Sequence, residues 1–439
     1  MGNMHELAKT VKEMEEQIVI CTKCGMCQSV CPLFDQTKKE ADVARGKIAL
    51  LDGLMNQLFT NPKGVSERLN KCLLCGSCAA NCPSGVNVME IFIKARAILA
   101  EYTGLSPVKK IIFKRMLANP KMFDRILIWA EKFQNIMVKS NKTSQSTSCA
   151  RFISPMLSNR NFLPIAKEPF HKSLKGLELN TGTAGVKVAI FTGCLIDKIL
   201  PNIALASVKV LKHCNVDITI PENQGCCGIP ALASGDRKTF NTLLEHNVKL
   251  FKDEKFDYLI TACATCTSTI KKLWPSLYQG SDNNFKKYID ELSERTMDIN
   301  QFLIDIVKIE PVVPADTEKV EKNHRSGSIT YHDPCHLKKS LGIFSQPRQV
   351  IKASGRQLIE MKDADKCCGM GGSFNLFHYD ISTKIGMLKQ QNITETNCSI
   401  VASGCPACIM QISDMLAKAK SDIKVKHPIE IYADSIKSS

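Results

Sequence analysis

Eight of the 21 cysteines in this 439-residue chain fall into two runs of identical spacing. Cys21-x2-Cys24-x2-Cys27-x3-Cys31 is followed by Pro32, and Cys72-x2-Cys75-x2-Cys78-x3-Cys82 by Pro83. Three cysteines two residues apart let a short loop wrap three corners of a cube, and a fourth closes the set. That is thiolate ligation of a [4Fe–4S] cluster, whose chemistry is one-electron transfer. The proline turns the chain away from the sulfurs and removes one N–H donor. Structural zinc is the competing use of a lone C-x-x-C, but two complete four-cysteine runs favour iron.

Ten further cysteines form two sets of five. Cys194, Cys226, Cys227, Cys263 and Cys266 are matched in order by Cys335, Cys367, Cys368, Cys405 and Cys408, at offsets of 141 to 142 residues. Each set is a single cysteine, an adjacent pair followed by glycine (Gly228, Gly369) and a C-x-x-C, so residues 181–310 and 311–439 read as two copies of one unit. Five thiolates exceed the four ligands zinc normally takes, and suit a larger or less regular iron–sulfur assembly; iron and zinc both stay open for these modules.

These cysteines need elements to position them. Short apolar, β-branched runs (Val186 to Phe191, Tyr258 to Thr261, Ile329 to His332, Ile400 to Ser403) precede the cysteines and read as buried strands. Helical patterns such as Ala204 to His213 and Phe240 to Phe251 lie between them. The fold class expected is therefore α/β, with parallel sheets whose strand ends carry the cysteines. In front stands a helix-rich domain, residues 1–105, with a helix from Arg45 to Leu58 that places Ile48, Leu51, Leu54, Met55 and Leu58 on one face.

The two runs resemble those of bacterial ferredoxins. In two-cluster ferredoxins the fourth cysteine serves the other cluster. Cys21, Cys24, Cys27 and Cys82 would then hold one cluster, and Cys72, Cys75, Cys78 and Cys31 the second. The five-cysteine units resemble the cysteine-rich "CCG" domain. Over residues 15–436 the arrangement is similar to a family of iron–sulfur oxidoreductase subunits: those of glycolate oxidase, FAD-linked D-lactate dehydrogenase and anaerobic glycerol-3-phosphate dehydrogenase, and the catalytic subunit of heterodisulfide reductase. Ala44-Arg45-Gly46-Lys47-Ile48, Phe191-Thr192-Gly193-Cys194, Gln224-Gly225-Cys226-Cys227-Gly228, and His332-Asp333-Pro334-Cys335-His336-Leu337 with Arg348 favour the glycolate and lactate branch. That resemblance implies an FAD-binding partner that oxidises a 2-hydroxy acid, no catalytic residue on this chain, and transfer of electrons to quinone or another acceptor. Glycolate oxidase subunits often lack one cysteine of the first C-x-x-C, whereas both are complete here. That keeps a heterodisulfide-type reading, with non-cubane clusters in the modules, alongside.

The formal charge is +15. Residues 107–175 hold fourteen Lys or Arg against Asp124, Glu131 and Glu168, among apolar residues including Ile111, Phe113, Met116, Ile126, Ile128 and Trp129. Three uses fit a basic amphipathic segment: packing on the protein, lying on an anionic membrane surface, or docking an acidic flavoprotein. Residues 140–148 read as a flexible linker within the basic region of residues 106–180. His332 and His336 flank Cys335, and Cys149, Cys214 and Cys398 fall outside every motif. Sparse aromatics argue against binding single-stranded nucleic acid. No dinucleotide fingerprint, long apolar span or secretory signal is found. No flavin or nicotinamide is expected on this chain, and a cytoplasmic protein, peripheral on the membrane at most, is expected.

Overall fold

The computed structural model describes residues 4–119, 122–127, 129–130, 138–140, 148–150, 160–174, 179, 185–312 and 327–436. In the N-terminal block, helices Met4–Val19, Ala44–Met55, Pro62–Asn70 and Val88–Thr103 surround the loops of the two cysteine runs. Pro62 and Asn61 start the third of these, the Asn61 side chain accepting from the Gly64 N–H, and Asn87 caps the fourth by accepting from the Glu90 N–H. Ile48, Leu51, Val65, Leu69, Ile91 and Phe92 are all buried in one core. The helix expected to reach Leu58 stops at Met55. Gln57 adopts a left-handed φ of 57° there, and Leu58 swings out to 79% exposure.

The basic segment divides. Pro107–Lys110 runs into a π-helical turn, Ile111–Leu117, which buries Phe113 but leaves Val108 and Ile111 exposed. Asp124 pairs with Lys198, whose ammonium lies 5.6 Å from the Phe123 ring centre, so this stretch is fastened to the first module. The packing reading holds for Phe113 and Phe123, while Ile126 and Trp129 face outward. Ile128 lies outside the described residues. The ends of the expected linker pair as antiparallel strands β1 (Val138–Ser140) and β2 (Ser148–Ala150); residues 141–147 between them, and the Cys149 side chain, also lie outside the described residues.

The two modules repeat one parallel topology. The first has β3 (Lys187–Ile190), β4 (Asp217–Thr219), β5 (Tyr258–Thr261) and β6 (Thr296–Asp298) in the order β4-β3-β5-β6. The second has β7 (Ile329–His332), β8 (Ile400–Ser403) and β9 (Lys424–Lys426) in the order β7-β8-β9, with Leu358 bridging Ile329 where β4 would lie. The strands that lead into the cysteines, β3, β5, β7 and β8, are almost wholly buried, as parallel strands between helices require, whereas β4 (Asp-Ile-Thr) and β9 (Lys-Val-Lys) are partly exposed edges. The crossover helix Arg237–Lys252 buries Phe240, Leu243, Leu244, Val248 and Phe251, a 3.6-residue stripe. Each module's C-x-x-C, and its first cysteine, follows the C-terminal end of a strand, the end where open α/β sheets place their sites. Among the described residues no helix is long and apolar enough to cross a membrane.

Candidate metal centres

In the N-terminal block, one enclosed cavity is lined by Cys31, Cys72, Cys75 and Cys78, together with Lys47, Leu73, Met89 and Phe92. Burial pushes the Cys31 thiol up to about 12, although the Phe34 N–H donates to its sulfur at 3.4 Å. Cys78 is raised too, by burial and by the neighbouring Cys72, Cys75, Cys31 and Cys27. Thus Cys31, from the first run, sits with the first three cysteines of the second. Cys21, Cys24 and Cys27 lie nearer the surface, Cys24 fully exposed. Thr22 and Ser84 hydroxyls meet at 3.3 Å, drawing the segment after Cys82 to the start of the first run. The Ala44-Arg45-Gly46-Lys47-Ile48 segment stitches these loops. Arg45 donates to the Lys23 carbonyl at 3.3 Å and pairs with Glu40 at 2.5 Å, while the Lys47 ammonium donates to the Asp42 carbonyl.

In the first module, Cys194 and Cys226 sulfurs are 3.7 Å apart, and Cys227, Cys266 and Cys263 follow as successive neighbours. Gln224 ties this loop to β3, accepting from the Thr192 N–H and donating to the Ile190 carbonyl, both at 2.9 Å. Asn247 accepts from the Gly225 N–H and donates to the Cys226 carbonyl. Gly228 takes φ +93°, and a Cβ there would lie 2.7 Å from the Phe240 ring. Gly369 in the second module also has φ +93°, and its Cβ would meet the Ser382 carbonyl at 2.7 Å. Only glycine satisfies both demands. Each glycine N–H points back to the first sulfur of its own pair, Cys226 at 3.5 Å and Cys367 at 3.4 Å.

The second module divides its thiols. Cys335 and Cys367 adjoin Cys75 of the N-terminal block, packed with Leu33, Leu73 and Phe374. Cys368 and Cys408 sulfurs are 3.3 Å apart, and Cys405 adjoins Cys408 on one side and Cys263 of the first module on the other. The two C-x-x-C loops meet directly: the Ala264 N–H donates to the Gly404 carbonyl at 3.0 Å, and the Thr265 hydroxyl lies 3.5 Å from the Cys405 sulfur. One unbroken file of thiols therefore runs from Cys75 through the second module to Cys194. His336 holds Thr265 at 3.0 Å, and Arg348 grips the buried Asp333 through two bonds of 2.7 and 3.0 Å, fixing the turn before Cys335.

Buried thiols stacked this closely cannot ionise together in the absence of cations, and only thiolates bind metal. The surroundings supply positive charge. Lys339, its own charge favoured by Cys335, Cys75 and Cys367 despite burial, donates to Ser77 at 2.7 Å. Lys389 is buried beside Cys368, donating to the Asp363 and Ala364 carbonyls. Lys47 and Arg96 stand at Cys72. Sulfur ligands packed with buried cations fit resident anionic clusters, and the residues named suffice to hold them. None of these four basic residues is legible as functional from its motif alone. The signal for Arg96 is a charge, one of two with Lys94, within the apolar stretch Ile91–Leu99, and for Lys389 a lysine on the buried side of Tyr379–Glu395. Cys398 is buried, whereas Cys214 is half-buried at a helix end, where burial lifts its thiol to about 11.

The chain matches the CCG family, "Cysteine-rich domain", over residues 188–271 and 329–413, and the "4Fe-4S dicluster domain" family over 17–86. It is 32% identical over 247 residues to "Lactate utilization protein A" of a Geobacillus species, covering 56% of this chain and 98% of that protein. It is 26% identical over 420 residues to a "Probable glycolate oxidase iron-sulfur subunit" of Bacillus subtilis, covering 93% of this chain and 92% of that one. It is also 25% identical over 445 residues to a subunit of the dihydromethanophenazine:CoB--CoM heterodisulfide reductase of Methanosarcina acetivorans, covering 95% of this chain and 93% of that one. A solved structure of a hypothetical protein from Helicobacter pylori aligns with a TM-score of 0.50 at 9% identity, over 100% of this chain and 78% of that one.

Proposed function

Because the chain belongs to the family of iron–sulfur oxidoreductase subunits that joins a 4Fe-4S dicluster domain to two cysteine-rich CCG domains, we propose that it is the electron-transfer subunit of an FAD-linked dehydrogenase of D-lactate or glycolate. The observation that carries this reading is the 32% identity to Lactate utilization protein A, spanning 98% of that protein. When bound, iron–sulfur clusters supply one-electron transfer. The chain's own part is to hold them: Cys21, Cys24, Cys27 and Cys82 for one cubane, Cys72, Cys75, Cys78 and Cys31 for the other, and the two five-cysteine sets for a centre in each module. Four parts divide this labour, with boundaries at residues 105, 180 and 310. Buried Lys47, Arg96 and Lys389 and half-buried Lys339 offset the anionic sulfur groups, and the apolar walls formed by Leu33, Leu73 and Phe374 exclude water between Cys75 and the second module. The hydroxy acid is oxidised on the flavoprotein partner, and electrons pass to quinone or another acceptor.

The test is reconstitution. Alone, the anaerobically purified chain should not reduce an artificial dye from D-lactate or glycolate. Mixed with an FAD-binding D-lactate or glycolate dehydrogenase from the same organism, it should raise turnover with an acceptor that the flavoprotein alone serves poorly. Absence of that stimulation with either acid would defeat the proposal.

A second reading is favoured by one observation: both modules keep a complete C-x-x-C, and the two pairs meet at Cys263 and Cys405. Disulfide reduction at that junction, by analogy with the heterodisulfide reductase relatives, predicts that the chain alone reduces a disulfide from reduced dye with no flavoprotein present.

A further inference from the structure

The two modules differ at one position beside their thiols. Three residues before the first cysteine, the first module has Phe191 and the second His332. Phe191 is ordinary core: its ring packs 6.1 Å from Phe251 and 6.2 Å from Trp274. His332 is also wholly buried, but not as core. Its Nδ1 lies 3.0 Å from the Ala364 carbonyl oxygen. A carbonyl only accepts, so Nδ1 carries the proton and Nε2 carries a bare lone pair. That Nε2 has no nitrogen or oxygen partner, and the ring faces the Cys368 sulfur. A ring nitrogen of His332 lies within 4.8 Å of both the Cys368 and Cys408 sulfurs, which are themselves 3.3 Å apart, and with Nδ1 held by the carbonyl it is Nε2 that is free to engage them. An imidazole anchored at one nitrogen by a backbone carbonyl and presenting the other to two thiols is how metal-ligating histidines are oriented. The matching position of the first module has no such group, because Phe191 carries no donor atom.

We infer that His332 is a metal ligand through Nε2, giving the second module an iron–sulfur centre of mixed imidazole and thiolate ligation with Cys368 and Cys408, while the first module's centre is bound by thiolates alone. The inference rests on the reading that the second module's cysteines hold iron. It also gives the division of thiols a purpose: Cys335 and Cys367 lean towards Cys75, and the imidazole makes up the ligand count on the other side. Neutral imidazole in place of thiolate removes one negative charge from a centre, and in Rieske centres such replacement raises the reduction potential. The second module then becomes the more oxidising of the two.

The experiment uses the full chain purified anaerobically with its iron, as wild type and as His332→Phe, His332→Gln and Cys368→Ser. His332→Phe installs the residue the first module already packs at this position, so the fold is retained. The measurements are iron and acid-labile sulfide per chain, and pulsed EPR of the reduced protein labelled with 15N-histidine. The inference expects His332→Phe to lose as much iron as Cys368→Ser. It also expects a 15N-sensitive coupling in the wild type that both His332 variants lack. Wild-type iron content in His332→Phe, or no histidine nitrogen coupling in the wild type, overturns it; the latter needs no variant to fold. If Cys368→Ser itself leaves the iron unchanged, the reading that this module holds iron has failed, and the inference fails with it.

Discussion

Single side chains set the electrical environment of the sulfur groups. Lys47 is 1% exposed, donates to the Asp42 carbonyl, and faces Cys31 and Cys72. Burial lowers its pKa, so the neighbouring thiolates are what keep a charge there tolerable. A cation beside a cluster favours the reduced form. Lys47→Met should therefore lower the midpoint potential of one low-potential EPR signal by tens of millivolts, where ~59 mV corresponds to a factor of ten for one electron. An unshifted redox titration would show that Lys47 only fills space. Asp298 acts on stability instead. It is fully buried, its Oδ1 accepts from the Asn300 backbone and side chain at 2.9 and 2.8 Å, and burial lifts its pKa to about 7. A carboxyl raised on folding contributes stability below its unfolded pKa of about 3.9, and that stability is lost as pH rises through the folded value. Asp298→Asn keeps the acceptor and removes the charge. It should gain a few kcal/mol over the wild type at about pH 8 and much less at about pH 5, as read by urea unfolding. Parallel stability profiles for the two proteins would rule this out.

At the scale of elements, the helix Val88–Thr103 joins the N-terminal block to the first module. Its Arg96 donates to Leu69 and Cys72 carbonyls at 2.5 and 2.7 Å on one side and to Ala233 at 2.6 Å on the other. Arg96→Met leaves those carbonyls without their charged donor. It should cost about 2–4 kcal/mol in urea unfolding and expose the second cysteine run to faster iron loss to a chelator. Much of this architecture could be read beforehand. Strands before each cysteine and helices between them follow from apolar periodicity, and β5, β7 and β8 take the expected limits. Helix ends were harder: nothing in the apolar stripe of Ile48, Leu51, Leu54 and Met55 announces that Gln57 will turn left-handed and throw Leu58 outward. Contacts between separate motifs were out of reach altogether. Spacing groups Cys75 with its own run and Cys335 with its own module, and only tertiary packing brings them together. Likewise His332 and Arg348 read only as parts of the segment at and after Cys335, and the three-dimensional fold gives them opposite tasks, one facing sulfur and the other holding Asp333.

For the molecule as a whole, the two kinds of sulfur site rest on unequal foundations. Each module wraps its cysteines around a parallel sheet, whereas residues 21–86 of the N-terminal block carry no strand and hold their cysteines on or between α-helices of 4 to 12 residues. Small metal-bound units draw much of their folding energy from the metal. Stripping the iron anaerobically should therefore abolish hydrogen-exchange protection across residues 21–86 while β3, β5, β7 and β8 stay protected. Uniform loss of protection would mean that the modules too are folded by their metal. The junction of the modules has one more implication. The helix that begins within each module's C-x-x-C packs on the helical segment at the other module's first cysteine: Ala264–Ser268 against His336–Leu341, and Pro406–Lys418 against Gly193–Lys198. Such reciprocity is the mark of a two-fold, isologous contact, so the halves of this polypeptide meet as two copies of one ancestral module would have met in a homodimer. Within one chain each half is free to differ from the other. Pro406, which has no N–H, already cannot return the bond that Ala264 makes to Gly404. The symmetry survives in the backbone and is broken in the chemistry, which is how a dimer of equals becomes a path with a direction.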